Sequence, residues 1–228
     1  KIEFINAVNR TKEKTSRKIY LSVIDDNDLK VKTDIVKTGA LTASLRNQFA
    51  TLSNQKQMEE MEGNISGSFK NPVKVTAISF KGLNEQSDSI RYTCEYNVQN
   101  EVAELGDIKM VKIPFGDAVA TVDNFSLSER KFPVEYWRYE DVDEYETVVE
   151  ITAPAGTKFY EIPKDEKLSF VNGIYSLQYQ LKGENKLVVT RKASIKKTTI
   201  PVEGYAAMKD FLNKIVKAEA RYIAFKSK

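Results

Sequence analysis

The sequence predicts a mainly β protein of the β-sandwich type with two α-helices, at about residues 42–62 and 203–218. Three observations support this fold class. Several segments alternate apolar and polar residues with the period of two that is typical of half-buried strands. A tight polar turn separates two such segments, as in a β-hairpin. Only two segments have the spacing of apolar residues that gives a helix one buried face.

The clearest strand pattern lies at residues 90–98, where every second residue is apolar or aromatic. Because side chains alternate between the two faces of a strand, Cys94 shares its face with Tyr92 and Tyr96. A cysteine among such neighbours behaves as a small apolar side chain. We therefore predict that Cys94 is a core residue and not a reactive thiol.

The predicted hairpin joins residues 175–181 to residues 187–189 through a turn that contains Gly183 and Asn185. Glycine and asparagine accept the backbone conformations that tight turns require. The same alternation predicts further strands at residues 18–24, 29–36, 73–80, 108–113, 134–139, 145–151 and 222–225.

The two predicted helices differ in the strength of their signals. Residues 42–62 contain neither glycine nor proline, and Leu45 and Phe49 fall on one face of a helix that we expect Gly63 to end. In residues 205–216, apolar side chains recur at the spacing i, i+3, i+4 and i+7. We predict that this second helix packs on the sheet of its own chain rather than on a partner.

Turn-forming residues cluster between residues 114 and 130, and strand-like patterns begin again after them. This cluster predicts a division into a β-rich module at residues 1–125 with one helix and a second β-rich module at residues 126–228. The second module would contain the C-terminal helix and the final strand. One continuous large sandwich is the alternative.

The composition excludes several function classes. The chain has no histidine and one cysteine, so Cys-His and Ser-His nucleophiles and the HExxH type of zinc site cannot be assembled. We therefore predict that this chain is not itself an enzyme and holds no metal or cofactor. The net charge of +3 is spread over interspersed lysines, aspartates and glutamates, which does not predict nucleic-acid binding. A membrane-spanning helix needs roughly 18 consecutive apolar residues, and the sequence contains no such run, so no membrane span is predicted.

The candidate ligand-binding residues are Trp137 and Tyr139, which share one face of the predicted strand at residues 134–139. Aromatic side chains on one face can form a platform for a sugar or a peptide. Alternation places Tyr136 on the opposite face, so part of this aromatic cluster is expected in the core.

Three charged clusters have structural interpretations that we favour over functional ones. Residues 25–28 fit a hairpin turn better than a calcium loop, because they lack the alternating ligand spacing of an EF-hand. The carboxylates between Glu140 and Glu146 fit a solvated loop and strand edge better than a catalytic pair. Basic residues at 191–197 fit edge-strand charges that prevent aggregation as well as they fit an anion site.

A series of short motifs resembles the C-terminal region of bacterial transglutaminase-like proteins of the Bacteroides type. In that family a papain-like core is flanked by β-sandwich domains of unknown function. The order of the motifs along the chain carries the resemblance. The motifs are residues 21–29, Thr38-Gly39-Ala40 with Arg46, residues 129–134, residues 151–156, Ile162-Pro163, and the helix at residues 205–216 with the strand that follows it.

The resemblance implies a non-catalytic accessory region of an exported transglutaminase-like or cysteine-peptidase-like protein, located in the periplasm or at the cell surface. Its partner would be the catalytic domain of the same polypeptide, on which it packs, or the substrate of that domain. The Cys-His-Asp triad of the family has no counterpart here, because Cys94 lies inside a strand pattern and the chain has no histidine. The alternative function is an autonomous module that binds carbohydrate or peptide through Trp137 and Tyr139.

Overall fold

The computed structural model describes residues 12–24, 27–121, 125–136, 144–196 and 198–227. The strands in these ranges are β1 Lys14–Ile24, β2 Asp28–Thr38, β3 Val73–Lys81, β4 Ser89–Val98, β5 Ala103–Leu105, β6 Ile108–Lys112, β7 Val134–Glu135, β8 Glu144–Thr152, β9 Thr157–Glu161, β10 Glu166–Phe170, β11 Gly173–Leu181, β12 Lys186–Ile195, β13 Thr199–Ile200 and β14 Tyr222–Ser227. The helices are α1 Leu41–Phe49, α2 Asn54–Ser66 and α3 Tyr205–Glu219, and a short 3-10 helix at Val202–Gly204 precedes α3.

The mainly β class is confirmed. Within the described ranges the strands form an eight-stranded sheet, a four-stranded sheet and a two-stranded sheet. The order of the large sheet is β10-β11-β12-β8-β1-β2-β4-β3, and that of the four-stranded sheet is β5-β6-β14-β9. Neighbours in the large sheet are antiparallel except β1 and β8, which are parallel. Strands β13 and β7 form the small sheet.

Within the described residues, helices cover one face of the large sheet and no helix covers the other. The covered face carries buried residues such as Ile19 on β1, Val31 on β2 and Val149 on β8. Helices α1 and α2 contact the β2, β4 and β3 end of the sheet, whereas α3 contacts β10 at the opposite end. In the described part of the chain, the other face carries charged residues that pair across strands, for example Lys18 with Glu150. We call this second surface the open face.

The predicted helix at residues 42–62 is two helices, and this part of the prediction is wrong. Helix α1 ends at Phe49, and Ser53 begins α2 by accepting a hydrogen bond from the backbone N–H of Lys56. Such a cap stabilises a new helix start because it satisfies one of the free N–H groups of the first turn. Gly63 lies inside α2 and does not end it. The described residues therefore contain three α-helices where two were expected.

The C-terminal helix is confirmed as α3, and its predicted apolar face is buried against the rest of the chain. Ring contacts show how it docks, because the ring centroids of Phe211 and Phe170 on β10 lie 5.9 Å apart. The final strand is confirmed as β14, which pairs with β6 and β9 in the four-stranded sheet. No helix in the described residues is long and apolar enough to cross a membrane.

The predicted strand at residues 90–98 is confirmed as β4, and the predicted hairpin as β11 and β12. The weaker patterns at residues 18–24, 29–36, 73–80, 108–113 and 145–151 are confirmed as β1, β2, β3, β6 and β8. Of the predicted strand at 134–139, β7 covers Val134–Glu135, and residues 137–139 lie outside the described ranges. The strands β5, β9, β10 and β13 were not predicted, because they are short and mostly lack a fully buried alternating face.

The large sheet draws strands from both sides of the predicted boundary at residue 125. Strand β1 pairs with β2 on one side and with β8 on the other, and β8 also pairs with β12. One cluster of buried residues includes members of all three helices. These pairings join strands from both halves of the chain in one sheet, as one continuous sandwich would require. The division into separate modules at residues 1–125 and 126–228 stays a prediction.

Candidate functional site

The predicted ligand-binding residues Trp137 and Tyr139 lie outside the described residues. Their neighbour Tyr136 is 2% exposed, as expected for the core side of that segment. Its ring stacks on Phe125 at a centroid distance of 6.4 Å. The aromatic platform therefore stays a prediction.

The acidic and basic clusters of the sequence meet on the open face. Glu146 lies between two lysines, 3.1 Å from Lys14 Nζ and 3.3 Å from Lys192 Nζ. The hydrogen bond with Lys14 is the main cause of the lowered pKa of Glu146, and Lys192 lowers it further. Glu144 accepts a hydrogen bond from Lys12 Nζ at 2.6 Å. The carboxylates at residues 140–143 lie outside the described ranges.

The interpretation of the basic residues at 191–197 as edge-strand charges is wrong. Strand β12 is an interior strand, because it pairs with β11 on one side and with β8 on the other. Lys192 points to the open face and pairs with Glu146, whereas Arg191 points to the covered face. Lys197 lies outside the described residues.

The hairpin interpretation of residues 25–28 is confirmed by the antiparallel pairing of β1 and β2, which are joined there. Asp28 Oδ1 accepts a hydrogen bond from the backbone N–H of Asn100. Asn27 Oδ1 accepts one from Lys109 Nζ. Asp25 and Asp26 lie outside the described residues. Among the described residues, no group of three or more His, Cys, Asp or Glu side chains could hold a metal ion.

Cys94 is a core residue, as predicted, and is 1% exposed. Burial raises the pKa of its thiol to about 12. A thiol acts as a nucleophile only as the thiolate, so this environment keeps Cys94 in its unreactive form at neutral pH.

The open face contains a groove of about 570 Å³ over strands β10, β11, β12 and β8. Its lining combines the charged group around Glu146 with the exposed apolar side chain of Ile174. Ile174 lies near the start of β11 and is 62% exposed. The groove is therefore a surface on which one exposed apolar side chain lies beside several charged ones, as at the polar rim of a protein interface.

A second space, a cavity of about 400 Å³, lies between the covered face and the helices α1 and α2. Three charged groups meet at one end of it. Asp117 Oδ2 lies 3.0 Å from Arg17 Nη2, and Asp117 Oδ1 lies 3.0 Å from Lys37 Nζ. Burial alone would raise the pKa of Asp117, but the charges of Arg17 and Lys37 outweigh burial and lower it. The carboxylate is thus ionised at neutral pH.

A buried network around Arg191 adjoins this cavity. Its guanidinium donates to the backbone oxygen of Asp117 at 3.0 Å, to Thr147 Oγ1 at 3.0 Å and to Glu219 Oε1 at 3.1 Å. It also lies over the ring of Phe115, 4.9 Å from the centroid. Burial raises the pKa of Glu219 although Arg191 opposes this shift. The network ties β12, β8, α3 and the segment after β6 together.

Comparisons with known proteins place part of this structure in a family. The comparison with curated proteins found no match. Among solved structures, a mutated baculovirus P35 after caspase cleavage shares 8% identity over 93% of this chain and 99% of that chain, with a TM-score of 0.18. A TM-score this low supports no conclusion about fold or function.

The DUF3858 family, described as a domain of unknown function with a solved structure, matches residues 109–225. The match runs from β6 to β14 and includes Arg191, Asp117 and the groove strands β10, β11, β12 and β8. It thus covers more than half of the 228 residues. This chain belongs to the DUF3858 family.

Proposed function

We propose that the chain is a non-catalytic β-sandwich accessory region of an exported transglutaminase-like or cysteine-peptidase-like protein. Its open face packs on the catalytic core of the same polypeptide or contacts the substrate of that core. The observation that carries this proposal is the groove on the open face, where Ile174 is exposed beside the ion pairs of Glu146.

The covered face already supplies the core of this chain, so the open face is not needed for its own packing. An exposed apolar side chain with paired charges around it suits a partner surface of the same mixed character. Burying the exposed 62% of Ile174 would contribute roughly 1–2 kcal/mol of favourable free energy. The surrounding charges would set the orientation of the partner more than its affinity.

Four of the six motifs that carry the resemblance lie in the part of the chain that the family model matches. The family match at residues 109–225 contains the motifs at residues 129–134, 151–156 and 162–163 and the helix α3. The described motif residues have structural contacts. For example, Gly156 adopts a φ of +81° in the turn after β8, and the backbone oxygen of Pro154 accepts a hydrogen bond from Thr157. This pattern fits a scaffold that holds a surface in place.

The first test is the coding sequence upstream of Lys1 in the native gene. We expect a secretion signal followed by a Cys, a His and an Asp in the order of a papain-like core. A start codon or a signal peptide immediately before Lys1 would contradict the accessory function. The binding of sugars or peptides by the isolated chain would then be measured, with Trp137→Ala as the test variant.

The second test measures docking directly. The upstream core is produced separately, and its binding to this chain is measured by calorimetry. We expect Ile174→Glu to weaken binding at least tenfold. The matched control is Leu105→Glu, because Leu105 is also an exposed apolar residue but lies on the four-stranded sheet. Equal affinities of the two variants would exclude the groove as the docking surface.

A further inference from the structure

We propose that the cavity between the covered face and the helices α1 and α2 binds a small organic monoanion with an apolar body, such as a medium-chain carboxylate. This site is independent of the accessory function, because it lies on the opposite side of the large sheet from the groove.

Among the described residues that line the cavity, Arg17, Lys37 and Asp117 are the charged ones, and their charges sum to +1. Arg17 and Lys37 share the single carboxylate of Asp117, with both distances at 3.0 Å. Their side chains are only 11% and 16% exposed, so water compensates these charges poorly. Arg191 does not change the balance, because its own carboxylate partner is Glu219. A buried cation without full compensation is costly, and a bound anion would remove this cost.

The guanidinium of Arg17 lies at the polar end of the cavity, where its Nη2 donates a hydrogen bond to Asp117 Oδ2 at 3.0 Å. The planar guanidinium matches the two oxygens of a carboxylate. Gly116 makes room for the guanidinium of Arg17, since a Cβ at residue 116 would lie 1.3 Å from Arg17 Nη1. The chain thus brings its backbone against the guanidinium, which a side chain at residue 116 would prevent.

The rest of the cavity offers apolar surface beside polar groups. The rings of Phe49, Phe69, Tyr92 and Tyr96 and the side chain of Met61 line it, together with polar side chains such as Thr33 and Gln48. A volume of about 400 Å³ lies within the usual range of small-molecule sites, roughly 300–1,000 Å³. The combination of an apolar body with one charged end is the chemistry of an amphipathic ligand.

The cavity has an entrance on the surface. Three solvent-exposed residues line the cavity at this entrance. Asn64 lies on α2, Ser68 follows α2, and Gly116 lies opposite them. The Asp117 carboxylate is 27% exposed beside them. A ligand can therefore enter without unfolding the chain.

The charge balance selects the class of ligand. A monoanion neutralises the excess charge of one, whereas a dianion would bring a new excess of negative charge next to Asp117. A cation would meet Arg17 and Lys37 directly. A neutral molecule would gain the apolar contacts but would leave the cationic end uncompensated. We therefore expect carboxylates to bind best among ligands of equal length.

The test titrates the whole chain with decanoate, decanol and decylamine, three probes of equal chain length and different charge, by calorimetry. We expect saturable binding of one decanoate, at least tenfold weaker binding of decanol and no binding of decylamine. Arg17→Met should weaken decanoate binding at least tenfold, because it leaves Lys37 and Asp117 as a neutral pair. Lys37→Met removes the same excess charge and replaces Arg17→Met if that variant does not fold.

The matched control is Lys32→Met, which removes one lysine from the open face, where Lys32 pairs with Glu95 at 3.0 Å. Its affinity for decanoate should be unchanged. The proposal would be overturned if decanoate showed no saturable binding, or if the chain bound decanoate and decanol with equal affinity. It would also be overturned if the Arg17 or Lys37 variant bound decanoate as tightly as the control variant does.

Discussion

Arg191 is the residue on which the packing of several elements depends. Its side chain is 1% exposed and its partner Glu219 is 14% exposed. Removing one member of a buried ion pair leaves the other charge uncompensated, which typically costs about 3–5 kcal/mol. We expect Arg191→Met to lower the free energy of unfolding by about that amount, measured by urea denaturation.

Two further variants make this prediction specific. Lys192→Met changes the neighbouring residue, which is 60% exposed on the open face, and should shift stability by less than about 0.5 kcal/mol. Adding Glu219→Gln to Arg191→Met removes the uncompensated carboxylate and should recover part of the loss. An Arg191→Met variant as stable as Lys192→Met would show that the network contributes little.

At the residue scale, the sequence contained more information than composition suggests. The alternation in β12 places Arg191 on the same face as Val189 and Ala193, but the sequence analysis assigned Arg191 to an edge-strand basic cluster and so missed its burial. Alternation correctly placed Cys94 in the core. The partner of Arg191 could not be predicted, because Glu219 lies 28 residues away on a helix whose docking position depends on tertiary packing.

Two glycines at positive φ allow a test at the scale of turns and loops. Gly183 in the β11–β12 turn has a φ of +74°, and Gly116 after β6 has a φ of +81°. A Cβ at Gly183 would meet nothing within 4 Å, whereas one at Gly116 would overlap the guanidinium of Arg17. Alanine at positive φ costs about 1–2 kcal/mol through the backbone alone.

We therefore expect Gly183→Ala to lower the free energy of unfolding by about 1 kcal/mol and Gly116→Ala by about 3 kcal/mol or more. The larger effect at Gly116 arises because Arg17 must leave its contact with Asp117. The two variants are compared by urea denaturation under the same conditions. Equal losses would mean that Arg17 moves aside without cost, and the cavity would then lack a fixed cationic end.

At the scale of elements, long and strongly periodic segments were predictable, but breaks within them were not. Helix α3 and strand β4 have clear apolar faces, and both were confirmed. The break between α1 and α2 was missed because residues 50–53 contain neither glycine nor proline. Ser53 was the residue that could have indicated the break, because serine is a good N-cap. The prediction of one continuous helix placed Ser53 in the middle of that helix instead of at the start of α2.

At the scale of the whole molecule, strand order was beyond prediction from patterns. Strand β1 pairs in parallel with β8, about 130 residues later in the chain, and this pairing joins the two halves in one sheet. Alternation reports which face of a strand is buried, but it does not report which strand lies beside it. The cavity was missed for the same reason, since β1, β2, α2 and the segment after β6 each supply part of it.

The absence of histidine and the burial of a tyrosine hydroxyl and a cysteine thiol predict how the stability of the fold depends on pH. Burial raises the pKa of Tyr92 to about 12 and that of Cys94 to about 12. The unfolded chain loses these protons at lower pH than the folded chain, so the unfolded state binds fewer protons and stability falls as pH rises through this interval. No histidine titrates between pH 6 and 8, so we expect stability to change little there.

Tyr92 supplies the quantitative test of this alkaline loss. With an unfolded pKa near 10 and a folded pKa of about 12, Tyr92 should account for a loss of about 1.4 kcal/mol between pH 8 and pH 11. Tyr92→Phe should therefore lose about 1.4 kcal/mol less than the unchanged chain over this range, measured by urea denaturation at each pH. Tyr222→Phe is the matched control, because Tyr222 is 42% exposed and its removal should leave the pH dependence unchanged. If the two variants lose stability equally with rising pH, the Tyr92 hydroxyl is accessible to water through the cavity and not desolvated. That outcome would show the cavity to be wetter than its aromatic walls imply.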